Sequence, residues 1–214
     1  MARTDWLCAL VLMTWQKVAP IVIVARLQIS EVSLVMLVAV MNRLLGAWGG
    51  LNQTQFRPLL GYSSIVHIGW MVALVAVSGY RVVGYLVVYR ALVVPLVACL
   101  DALDTPKVFH LLVNLPLRMA VCLMLFLFNL AGLPPFSGFF LKATARALLI
   151  EDFPQVVLLL LLGRGLRLGF YLNLVVLVLR TAHYHTRSGV RPNGLFLVLL
   201  LVRLFLGPWL VQVV

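Results

Sequence analysis

Acidic side chains are nearly missing from this sequence: six Asp and Glu stand against 17 Lys and Arg in 214 residues, and charged residues together make up only 11%. Hydrophobic residues reach 64%, with a mean hydropathy of +1.10. Globular domains carry about 25% charged and 45–50% apolar residues. That contrast excludes a water-soluble domain, a disordered chain and a nucleic-acid binder coated with basic side chains. Cysteine is scarce too. Cys8, Cys99 and Cys122 each lie within or beside an apolar stretch, without metal-ligand spacing, and read as small apolar packing residues rather than disulfide partners. No Gly-rich phosphate loop, nucleophile triad, haem or iron–sulfur signature occurs. His183 and His185 share a loop that offers no third ligand, so no metal site is expected. The start, Met1 to Asp5, runs straight into apolar sequence, with neither a cleavable signal nor an Arg- and Ser-rich transit segment.

What the sequence has is apolar length. A bilayer span needs about 20 mostly apolar residues, and the pattern predicts a single all-α membrane domain over 1–214. Its spans are expected at about 6–26, 32–49, 58–79, 82–100, 112–150 (broken at 132–138), 155–180 and 194–213. A lipid-facing β-barrel would alternate apolar and polar residues; the run at 156–162 does not. With seven spans, one face holds the N-terminus, Arg3, Arg57, Lys107, Arg180, Arg187 and Arg191. The other holds Arg26 and Arg81 with Glu31, Glu151 and Asp152. Basic loops stay on the side of synthesis, so the N-terminus is expected in the cytoplasm or mitochondrial matrix. The net charge of +11 also suits anionic lipid head groups.

Three titratable residues interrupt the apolar runs. Lys17 lies mid-span, three residues before Pro20, which removes a backbone donor and kinks or breaks the helix. A cation at the bilayer centre costs about 3 kcal/mol on insertion scales and marks a wet interior or an ion path. Burial favours the neutral amine, which is what lets a lysine carry protons; the alternative is a side chain that snorkels to a head group. Lys142 follows Gly132, Pro134, Pro135 and Gly138, the signature of a discontinuous helix whose freed carbonyls are tolerated only beside a polar cavity. Arg146, one turn on, adds like charge. The alternative is a kinked helix that Lys142 caps. His67 follows Ser63 and Ser64 by one turn, and reads equally as a proton relay with supporting serines or as a buried histidine bonded to backbone. Arg43, Arg118, Arg164, Arg167 and Arg203 keep their charge and are expected to be structural. No carboxylate lies mid-span, so the counter-ions a proton path needs are expected from another chain.

The blocks Thr14-Trp15-Gln16-Lys17-Val18-Ala19-Pro20-Ile21, Trp48 to Gln55 continuing through Tyr62 to Met71, and Gly132 to Lys142 resemble, in order and spacing, the subunit 2 family of mitochondrial NADH–ubiquinone oxidoreductase (respiratory complex I). The likeness covers most of residues 10–150. It implies an antiporter-like bundle in which Lys17 links two half-channels, His67 relays protons and Lys142 is the terminal lysine on a broken helix. It implies no cofactor in this chain: NADH, FMN, iron–sulfur clusters and ubiquinone belong to other parts of the complex. It further implies a mitochondrial inner-membrane location with the N-terminus in the matrix and the C-terminus in the intermembrane space. Partners would be other membrane-arm subunits, anionic lipids such as cardiolipin, and a separate polypeptide supplying the helices that precede Lys17 in the family, with which Arg43 is expected to pair. Two other readings stand beside the pump: a scaffold that does not pump, and a subunit of a cation/proton antiporter.

Overall fold

A computed structural model of the chain describes residues 6–26, 32–51, 53, 55–102, 117–134, 136–163, 165 and 171. The expected span 194–213, most of 155–180, Pro135, Arg164, Arg167, Arg203, His183 and His185 lie outside the described residues, as does the side chain of Arg118. The regular elements are helices, in the order α1 (Trp6–Thr14), α2 (Val18–Arg26), α3 (Val32–Leu51), α4 (Phe56–Val77), α5 (Gly79–Ala102), α6 (Leu117–Ala131), α7 (Ser137–Ile150) and α8 (Pro154–Gly163). Among the described residues, four segments are long and apolar enough to cross a membrane: Cys8–Arg26, Val32–Leu51, Phe56–Val77 and Gly79–Asp101.

Burial separates inner from outer helices. α4 and α5 form the centre, with buried residues around most of their circumference; on α4 these include Leu59, Leu60, Ser63, Ser64, Val66, His67, Gly69 and Trp70. A helix apolar all round is what a bundle interior requires. α3 packs along α4 more extensively than any other described pair. Small residues permit that approach, since a Cβ on Gly46 would stand 2.9 Å from the Tyr62 carbonyl oxygen. The opposite face of α3, carrying Leu34, Leu37, Met41, Leu45 and Trp48, is exposed. α1 and α2 line the α4 and α5 side of the bundle, and α7 closes on α4, α5 and α6. Pro95 sits inside α5 without ending it. The discontinuous helix expected near Gly132 to Pro135 is present, α6 ending at Ala131 and α7 beginning at Ser137.

Candidate functional site

The first span is also broken. Trp15, Gln16 and Lys17 form a turn between α1 and α2. Pro20 has no N–H to give the Gln16 carbonyl, and its ring crowds the turn before it. The interruption therefore falls one turn ahead of the proline, not at it. Pro20 itself lies in the first turn of α2, where backbone donors are unpaired in any helix. The Val18 amide donates to the Trp15 carbonyl at 3.1 Å and the Ile21 amide to the Lys17 carbonyl at 3.3 Å. The Thr14 carbonyl, at the end of α1, accepts from Nη2 of Arg90 at 3.3 Å, and the same guanidinium lies 4.5 Å from the centroid of the exposed Trp15 ring. A cation at a helix C-terminus complements the negative end of its dipole.

That turn puts Lys17 into the bundle. It is 3% exposed, and its Nζ makes no hydrogen bond among the described residues. Instead Nζ stands 3.8 Å from the centroid of Tyr89, a cation–π contact. The Tyr89 ring lies 4.7 Å, centroid to centroid, from the ring of His67. Nδ1 of His67 shares a hydrogen bond with the Tyr85 hydroxyl at 2.9 Å, the direction set by the imidazole tautomer. Tyr85 and Tyr89, one turn apart on α5, present the same face. Lys17, Tyr89, His67 and Tyr85 are thus one contiguous buried group built from the α1–α2 turn, α4 and α5. Ser64 is buried, and Ser63 accepts from the Tyr171 hydroxyl at 3.0 Å.

Arg43 is fully buried, its Nε donates to the Leu160 carbonyl, and its guanidinium lies 4.9 Å from the centroid of Trp70.

Lys142 belongs to the second break. α6 closes on Gly132, whose φ of +80° only glycine adopts without strain. The Leu133 amide donates to the Phe128 carbonyl at 3.2 Å and the Gly132 amide to the Asn129 carbonyl at 3.1 Å, the Schellman pattern. This leaves the carbonyls of Leu130 and Ala131. Nζ of Lys142, whose side chain is 1% exposed, donates to both, at 2.7 and 3.1 Å. Asn129 reaches the other side of the gap. Its Oδ1 accepts from the Gly138 amide at 2.8 Å and the Ser137 hydroxyl at 3.1 Å, capping α7 in place of a local N-cap side chain. A Cβ on Gly138 would lie 1.9 Å from the Asn129 carbonyl oxygen, so the half-helices meet backbone to backbone. Pro134 is exposed, and Arg146 is half-buried, its Nε donating to the Lys142 carbonyl at 3.0 Å. A cavity of about 270 Å³ is lined by Tyr85, Arg81, Leu141 and Thr144, so it touches both the histidine's partner and the turn that carries Lys142.

Tyr85, Tyr89, Arg90 and Asn129 were not singled out by sequence. The available signal was faint: tyrosines four apart, and an arginine and an asparagine inside apolar runs. Among the described residues no cluster of three His, Cys, Asp or Glu has metal-holding geometry.

Residues 3–166 match the family described as NADH:quinone oxidoreductase/Mrp antiporter, TM. The chain belongs to this family. Similar curated proteins are both named NADH-ubiquinone oxidoreductase chain 2. That of Lumbricus terrestris is 38% identical over 180 residues, covering 82% of this chain and 54% of the relative. That of Metachirus nudicaudatus is 35% identical over 174 residues, covering 79% and 50%. The chain thus spans about half the length of these relatives. A solved respiratory complex I from Thermus thermophilus with bound aureothin contains a similar chain, with a TM-score of 0.68, 23% identity and coverage of 82% of this chain and 43% of that one. The same complex with bound NADH gives a TM-score of 0.71 at 17% identity, covering 86% and 45%. At these identities the likeness is one of fold, and it agrees with the antiporter-like bundle expected from the sequence.

Proposed function

We propose that this chain is a membrane-arm subunit of NADH–ubiquinone oxidoreductase that moves protons along its buried polar groups. The observation that carries the reading is Lys17: a lysine 3% exposed, without a hydrogen bond among the described residues, packed onto the Tyr89–His67 pair. A buried ammonium is costly within a bilayer and marks an ion or proton path. In this scheme Lys17 exchanges a proton with the first half-channel, His67 accepts it through water, and Lys142 feeds the exit side. Each transfer changes the charge felt by the next site, so the coupling is electrostatic. The chain performs no redox step of its own: NADH, FMN, iron–sulfur clusters and ubiquinone are handled elsewhere in the complex. Its surroundings in this reading are the mitochondrial inner membrane, with seven spans, the N-terminus in the matrix and the C-terminus in the intermembrane space. Anionic lipids such as cardiolipin meet the basic loops.

Lys17→Ala in the assembled complex should lower the number of protons moved per NADH oxidised while assembly is retained. An unchanged proton ratio in Lys17→Ala would overturn the pumping reading and leave a scaffold that ties the arm together without pumping.

A further inference from the structure

Two grooves flank the first half of α5. One is the cavity of about 270 Å³ against α7, lined by Arg81, Gly84, Tyr85 and Val88 of α5 and by Leu141 and Leu148 of α7. The other, of about 280 Å³, lies against α2, lined by Gly79, Val82 and Leu86 of α5 and by Val18, Val22 and Arg26 of α2. Arg26 ends α2 and shares its groove with Gly79, the first residue of α5, while Arg81 is two residues further on. Both arginines therefore stand at one end of the bundle, away from Arg57 at the start of α4. At 100° per residue, 81, 84, 85 and 88 share one face of α5 and 79, 82 and 86 another. Tyr80, Val83 and Val87 fall on the side between them, and are 68%, 64% and 58% exposed, so an open ridge separates the grooves. From this arrangement we infer that the Arg81 end of α5 is a binding site for one diacyl phospholipid, which straddles the ridge with an acyl chain in each groove and its phosphate at the end where Arg26 and Arg81 stand.

The chemistry of the two grooves selects this occupant. Each is apolar along its length and has one arginine at the same end, which is the pattern of two hydrocarbon chains joined to a single anionic group. A single-tailed amphiphile fills one groove and leaves the other open, and a packing helix meets the exposed ridge before the floor of either groove. Guanidinium binds phosphate through parallel N–H bonds, a geometry that a lysine does not reproduce. Arg81 is prepared for it. Its Nε donates to the Tyr80 hydroxyl at 2.9 Å, its one hydrogen bond among the described residues, and this leaves the two Nη groups for a phosphate. Arg26 is exposed. Tyr80 at the head of the ridge has the place that tyrosines favour at a membrane–water boundary. The site needs no proton movement and goes beyond the reading above.

The test is photolabelling of the assembled complex in phosphatidylcholine vesicles that contain a trace of phosphatidylcholine with a photoreactive group midway along each acyl chain. Labelled residues are mapped by mass spectrometry, and the exposed face of α3 at Leu37 and Met41 serves as the standard for passing bilayer lipid. Both grooves should be labelled severalfold above that standard, and Arg26→Gln/Arg81→Gln should bring them down to it. Groove labelling no higher than on α3 means bilayer lipid only and overturns the site. Labelling of one groove alone points to a single-tailed ligand, and absence of label from both points to a protein segment lying over them; either result overturns the proposal. So does strong groove labelling that survives the loss of both guanidiniums. If the double variant does not assemble, Ala25→Phe and Ala147→Phe, each of which narrows one groove from its wall, are measured instead with the arginines intact. Each should lower the label in its own groove severalfold, and unchanged label in both variants overturns the proposal. Proton pumping is not read in this experiment, so its failure and that of the pump reading are separate.

Discussion

Lys142 turns back across the helix break to the Ala131 carbonyl, 3.1 Å from its amine, while also holding the Leu130 carbonyl at 2.7 Å. The carbonyls of Phe128 and Asn129 accept from the closing turn. All four carbonyls that a helix end leaves open are therefore taken, and the lysine accounts for two of them.

Replacing that amine has a structural consequence that can be separated from any proton role. Lys142→Met leaves two buried carbonyls without this donor and should cost about 1–3 kcal/mol of stability. Lys142→Arg keeps donors at the site but does not release a proton. Thermal denaturation of the solubilised complex should rank the parent and Lys142→Arg above Lys142→Met, while proton pumping should be lost in both variants.

The cap that Asn129 places on α7 makes a second prediction. Asn129→Ala should cost about 1 kcal/mol, the usual loss for an N-cap side chain, and Asn129→Asp should recover most of it by keeping the acceptor. Gly138→Ala should do far more damage, because its Cβ would overlap the Asn129 carbonyl oxygen at 1.9 Å. Native gels should show little assembled complex for Gly138→Ala and near-parental amounts for Asn129→Asp.

At the first break the cap is Arg90. Arg90→Gln removes the charge at the end of α1 and should cost about 0.3–1 kcal/mol. Hydrogen exchange should quicken at residues 15–18 and stay unchanged along α4. Faster exchange throughout α4 would mean that Arg90 supports the bundle rather than the break.

The sequence exposes what interrupts apolarity and hides what uses it. Lys17, His67 and Lys142 stand out because a charge or imidazole inside a hydrophobic run has few explanations, and all three are buried as read. Gly132 and Pro134 mark the second break because backbone chemistry is local. Pro20 marks the first break from one turn away, since a proline's missing donor is felt at the carbonyl four residues earlier. Tyr85 and Tyr89 were illegible because an aromatic residue in a membrane span looks like packing until its neighbours on other helices are known. The Leu160 carbonyl that accepts from Arg43 lies 117 residues away, a pairing no local pattern announces.

The two breaks differ in the chemistry of their clasps. α1 is fastened by a guanidinium, which keeps its charge throughout, whereas α6 is fastened by an amine. A neutral amine still has hydrogens to offer, but it forfeits the extra strength of a charge-assisted bond. Loss of a proton at Lys142 would therefore slacken the second clasp without opening it, while the first stays equally tight at every stage. One hinge of the bundle is pinned, and the other has a tension that its own chemistry can adjust.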